Sequence, residues 1–139
     1  MKILIIDGQG GKLGKLLTER LKQRLPDQPL IAIGTNSIAT AAMLRAGADA
    51  GATGENPVVV NSADADLIIG PLGIVIANSL LGEITPAMAT AVGASRAQKL
   101  LIPINKCNHT VVGLPGLAMA DYVSLTVEAA AQMAEADQR

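Results

Sequence analysis

One stretch of this chain has the residue types and spacing of a phosphate cradle. Asp7-Gly8-Gln9-Gly10-Gly11-Lys12-Leu13-Gly14 follows the apolar run Ile3-Leu4-Ile5-Ile6 and opens a segment with Leu13, Leu16, Leu17 and Leu21 at helical spacing. A strand that turns through glycines into a helix aims backbone N–H groups and the positive end of the helix dipole at one point, and these hold an anion. Gly8 allows the tight turn, Gly10 and Gly11 allow close approach of a pyrophosphate, and Gly14 lets the helix pack on the strand. The expected contacts are Gly8, Gln9, Gly10, Gly11, Lys12 and Leu13. The plainer reading is a tight strand-to-helix turn that binds nothing. A P-loop is excluded: with Gly14-Lys15 as its glycine and lysine, Gln9 stands where the first glycine belongs and Leu16 where the hydroxyl belongs.

The spacing Gly8, Gly11, Gly14 is G-x-x-G-x-x-G rather than strict G-x-G-x-x-G. It resembles the NAD(P)-binding loops of the short-chain dehydrogenases and of the dihydrodipicolinate reductases, the latter through Gly11-Lys12-Leu13-Gly14. An NAD site usually carries an acid at the end of its second strand. Here that place holds Gly34-Thr35-Asn36-Ser37. Thr35, Asn36 and Ser37 offer hydroxyls and an amide at a helix start, which suits a phosphate, so the expected cofactor is NADP rather than NAD. Helix capping by Asn36 or Ser37 is the competing explanation.

In a doubly wound sheet, ligands lie beyond the carboxyl ends of the strands. Gly70 and Pro71 leave the fourth predicted strand there, toward the nicotinamide side of a cofactor. Asn105 and Lys106 are candidate ligand contacts, with Lys106 as a phosphate or carboxylate clamp. The neighbouring Cys107 and His109 are the only Cys and His of the chain. Zinc needs more such ligands, and no metal is expected. Glu83, in an apolar stretch between Asn78 and Thr85, is a further site candidate, although an exposed turn with Thr85 as helix cap is the favoured reading. Tyr122 has Thr126, not Lys, four residues on, and no catalytic base is identifiable.

The elements that must position these residues alternate. Strands are expected at Lys2 to Asp7, Leu30 to Gly34, Ala48 to Gly54, Asp66 to Gly70, Lys99 to Asn105 (Pro103 marking an edge) and Thr110 to Gly113. Helices are expected from Lys12 to before Pro26, from Asn36 or Ser37 to Ala46, from Gly73 to Leu81, from Thr85 to Gly93 and from Asp121 to Glu135. Asn56-Pro57 opens a brief helix, unless Val58-Val59-Val60 is strand. This order predicts one α/β domain, Rossmann-like, three-layered and doubly wound, with a mostly parallel sheet of about five or six strands.

Composition narrows the function. The chain has 139 residues, 50% of them hydrophobic and 17% charged, with a formal net charge of −1. That excludes a disordered tail and argues against a nucleic-acid binder, as does a single Tyr with no Trp or Phe. No segment reaches the roughly 20 apolar residues of a membrane span, the first apolar run, broken by Asp7, is not expected to be a signal peptide, and one Cys suits a cytoplasmic location. A mean hydropathy of +0.38 points to apolar surface placed in a homodimer or larger oligomer.

The whole chain is also similar to a small bacterial family known only as a domain of unknown function. The resemblance rests on Ile6 to Gly11, Gly34 to Met43, Gly47 to Asp49, Thr53 to Asn56, Ala77 to Met88 and Ile102 to Asn105. It implies a single Rossmann-like domain and no particular activity. The leading expectation is therefore a protein that binds a phosphate-bearing nucleotide, NADP(H) first; whether it is also an enzyme is a separate question, and if it is, the expected class is a small NADP-dependent oxidoreductase. The alternatives are a sensor of phosphometabolites using Gly34 to Ser37 and Thr40, or a regulatory subunit that docks a partner through the Gly73 to Leu81 segment.

Overall fold

An unbroken run of Ile and Leu needs apolar cover on both faces, and Ile3–Asp7 obtains it as the middle strand of a parallel sheet. The computed structural model describes residues 1–104 and 108–138. Along it run β1 (Ile3–Asp7), α1 (Lys12–Arg24), β2 (Leu30–Gly34), α2 (Ser37–Arg45), β3 (Ala50–Thr53), α3 (Glu55–Ser62), β4 (Leu67–Pro71), one 3₁₀ turn (Leu72–Val75), α4 (Pro86–Ala94), β5 (Gln98–Ile102) and α5 (Met119–Asp137). All strand pairs are parallel, in the order β3-β2-β1-β4-β5. This is a Rossmann-like, doubly wound sheet, and its crossovers diverge between β1 and β4.

Alternation along β1 divides the core. Ile3 and Ile5 pack with Leu13, Leu17 and Leu21 of α1, Met43 of α2, and Val123, Val127 and Ala130 of α5. Leu4 and Ile6 pack with Val58 of α3 and Met88, Ala89 and Val92 of α4. β1 keeps register with β2 along its whole length, from Ile3 opposite Leu30 to Asp7 opposite Gly34. With β4 it pairs only from Ile3 opposite Leu67 to Ile5 opposite Ile69. The two central strands thus stop pairing before their carboxyl ends, where the chain turns into the glycine loop on one side and the 3₁₀ turn on the other.

Several elements differ from the sequence expectation. The apolar segment Gly73 to Leu81 is not a helix. Beyond the 3₁₀ turn, Asn78, Leu80 and Leu81 take left-handed backbone at φ 65°, 54° and 56°, followed by Gly82 at 88°. These turns send Leu80 and Ile84 into the core, 4% and 1% exposed. A uniformly apolar run carries no periodicity to distinguish such buried turns from a buried helix. Val58 to Val60 is helical, with Pro57 tolerated in the first turn of α3. Thr110 to Gly113 is not strand but exposed chain. β5 ends at Ile102, immediately before Pro103, on an edge of the sheet. None of the described helices is long and apolar enough to cross a membrane.

Candidate functional site

The glycine loop stands at the carboxyl end of β1. Gly11 closes it by donating its N–H to Gly8 O at 2.9 Å, and its left-handed φ of 74° starts α1. The side chain of Asp7, 6% exposed, reaches past the loop, and its Oδ2 accepts the Gly14 N–H at 2.7 Å. Burial pushes the Asp7 carboxyl above the ordinary carboxylate value; the Gly14 and Gly8 N–H groups oppose this, and the charge of Glu83 adds to it. With Gly14 and Gly11 so engaged, the N–H groups of Gly10, Lys12 and Leu13 meet no acceptor among the described residues. They line a cleft of about 140 Å³ together with Asp7, Gly8 and Gln9, and with Pro71, Leu80, Ile104 and Met119 as an apolar wall.

The glycines divide the work differently from the sequence reading. A Cβ on Gly14 would meet Asp7 Cβ at 2.8 Å and the Met43 sulfur at 2.6 Å, so close helix packing does require glycine there. A Cβ on Gly11 would lie 2.7 Å from Ala39 Cα, so Gly11 must be glycine for its contact with α2, while it also lines the cleft. Gly10 faces open space: beyond its chain neighbours, no atom of the described residues lies within 4 Å of where its Cβ would stand. Gly8 is hemmed in by Thr35 and Leu80, at 2.5 and 2.9 Å from its built Cβ.

The second feature is a carboxylate. Oε1 of Glu83 accepts from the Gln9 N–H at 2.9 Å, the Thr35 hydroxyl at 2.6 Å and the Asn36 Nδ2 at 2.7 Å. Asn36 Nδ2 also donates to Gln9 O at 2.9 Å, while Asn36 Oδ1 caps α2 by accepting the Ala39 N–H at 2.9 Å. Asn36 therefore serves both as cap and as part of this cluster. Burial pushes the half-buried Glu83 carboxyl up, but the bonds from Thr35, Gln9 and Asn36 together outweigh it and hold the group below its ordinary value. Its Oε2 accepts from none of the described residues.

Of the residues singled out from sequence, Gly8 to Leu13 and Pro71 meet in the cleft. Thr35 and Asn36 lie beside the loop at Glu83, and Ser37 is exposed at the start of α2. Gly70 lies inside β4, packed on Ile6 and Ile74. Asn105, Lys106 and Cys107 lie outside the described residues, and His109 borders the Ile76 to Leu81 turns. The Thr40 hydroxyl bonds within the fold, to Asn36 O and Thr53 Oγ1. Tyr122 is buried, and its hydroxyl accepts the Leu117 N–H at 3.1 Å, a tie between the last loop and α5. The cleft walls Leu80, Ile104 and Met119 were missed, because no pattern distinguishes an apolar wall residue from core.

A family model described as a domain of unknown function, DUF3842, matches residues 2–135. No curated protein and no solved structure matches the chain.

Proposed function

The chain belongs to the DUF3842 family, a domain of unknown function, and we propose that its cleft binds a phosphate-bearing nucleotide, a nicotinamide dinucleotide first, by the pyrophosphate. The observation that carries this reading is the set of N–H groups of Gly10, Lys12 and Leu13 that meet no acceptor among the described residues, gathered where β1 and β4 stop pairing. They meet the phosphate oxygens, the α1 dipole adds to them, and the Lys12 ammonium supplies a cation. Pro71, Leu80, Ile104 and Met119 offer the apolar surface that a flat ring needs.

A cleft of about 140 Å³ is smaller than the roughly 300–1,000 Å³ that encloses a drug-sized ligand. It suits phosphates and part of one ring, and the rest of a dinucleotide runs along the strand ends. The same smallness favours the second reading, a sensor of a smaller phosphoester without chemistry. The preference for NADP rested on Thr35, Asn36 and Ser37; two of these now hold a carboxylate, so the choice between NAD and NADP turns on Glu83. For an oxidoreductase, this domain alone offers too little substrate surface, and a second copy completes it; the expected assembly is at least a homodimer.

The test is a titration with NADH and NADPH, followed by cofactor fluorescence, which no tryptophan obscures. Saturable binding at micromolar concentration is expected. Gly10→Asp adds a carboxylate in open space beside these N–H groups and should weaken both ligands about a hundredfold. Gly11 is the wrong position for this test, since its φ and the Ala39 backbone make any side chain a folding defect. Absence of binding by wild type, or unchanged binding in Gly10→Asp, removes the site. Tighter binding of ADP than of either dinucleotide moves the assignment to a sensor.

A further inference from the structure

We infer that Glu83 supplies, from the segment before α4, the ribose-binding carboxylate that the end of β2 lacks, and that it selects an unphosphorylated ribose, NAD(H), over NADP(H). The inference rests on the nucleotide reading above. Three observations meet in it. First, the end of β2 is Gly34-Thr35-Asn36-Ser37 and has no acid, yet a carboxylate stands there, bonded to Thr35 Oγ1 and Asn36 Nδ2. The same Oε1 accepts the N–H of Gln9 in the glycine loop, so the group bridges the phosphate cradle and the strand end over which a ribose would lie. Second, one oxygen takes all three donors. Oε2 retains its acceptor capacity at a half-buried position, as hydrogen bonds from a ribose diol require.

Third, the carboxylate is not a loose plug. The segment that carries it is rooted in the core by Leu80 and Ile84. It is closed by Asn78 N–H to Ile84 O at 2.7 Å, Ile84 N–H to Ser79 O at 3.2 Å and Glu83 N–H to Leu80 O at 3.1 Å. The buried Ser79 hydroxyl donates to Gly73 O. A 2′-phosphate brought to this place meets a fixed negative charge, held ionised, that has already taken the Thr35 and Asn36 donors. A free 2′-hydroxyl meets an acceptor. Like-charge contact is a stronger discriminator than a missing bond.

The experiment compares NADH with NADPH, on wild type and on Glu83→Gln. Glutamine can keep its Oε1 on the three donors while removing the charge, and a thermal melt close to wild type verifies the fold. Wild type is expected to bind NADH at least about tenfold tighter than NADPH, and Glu83→Gln to lose that preference mainly by gaining affinity for NADPH. Equal affinities in wild type, or tighter NADPH, overturn the role of Glu83 and leave the nucleotide site standing. Binding of both ligands only after Glu83→Gln makes the carboxylate an occluding group and overturns the inference in the other direction. Binding of neither ligand to either protein removes the nucleotide reading and this inference with it.

Discussion

At the scale of single residues, Asp7 and Glu83 are two carboxylates pushed in opposite directions by their surroundings. Asp7 is held in the fold above its ordinary value of 3.8, chiefly by burial. It therefore binds its proton more tightly folded than unfolded, and its ionisation costs stability as pH rises through and above that value. Asp7→Asn keeps an oxygen for the Gly14 N–H without the charge. Its melting temperature should exceed that of wild type at neutral pH, with the difference vanishing as pH falls toward 3.8. Asp7→Ala leaves the Gly14 N–H without its acceptor and should cost about 1–3 kcal/mol by chemical denaturation. A pH-independent difference for Asp7→Asn would contradict the burial argument. Glu83 has the opposite sign. Its bonds stabilise the fold above its ordinary value of 4.5, and that contribution disappears as pH falls through its lower folded value.

At the scale of elements, Asn36 ties the start of α2 to the glycine loop and to Glu83. Asn36→Ala removes the cap and the Nδ2 donor together, and should cost about 0.5–2 kcal/mol from the cap alone. Asn36→Asp separates the two roles. It can still cap by accepting the Ala39 N–H, but it sets a second carboxylate 2.7 Å from Glu83 Oε1 where a donor stood. Urea unfolding should show Asn36→Asp less stable than wild type at neutral pH and closer to it in acid; equal stability at both would mean that the seat of Glu83 contributes nothing. Most of this architecture was legible in the chain, because β1, β2 and β4 are apolar runs ended by Asp7-Gly8, Gly34 and Gly70, and α1 has a true leucine stripe. The glycine loop was legible for the same reason. What stayed hidden was the shape of residues 73–84. Nothing in Ile74-Val75-Ile76-Ala77 announces that three later residues adopt left-handed backbone, and it is this conformation that carries Glu83 to the loop. Glu83 could be suspected as a lone acid in apolar surroundings, but its partners 47 and 48 positions away, Asn36 and Thr35, come only from the fold.

At the scale of the whole molecule, burial leaves several large apolar side chains in water. Leu81 and Val112 are 97% and 93% exposed, and Ile38 and Leu125 are 67% and 62% exposed. A chain with so few charges has little else to keep such groups apart, and association at micromolar concentration is the expected result. Sedimentation velocity should give a species of at least twice 14.2 kDa, and Leu81→Asp or Val112→Asp should shift it toward monomer if either side chain lies in the contact. A strictly monomeric wild type removes the dimer, and with it the oxidoreductase that depends on a second copy.

The order β3-β2-β1-β4-β5 also has a consequence in time. During synthesis the glycine loop leaves the ribosome before Leu67–Pro71, the partner strand on one side of β1, and the carboxylate that braces the loop follows later still. A nascent chain that has finished β1, α1 and β2 therefore holds every glycine of the cradle and no cleft. The site comes into being only when distant stretches of the message have been read.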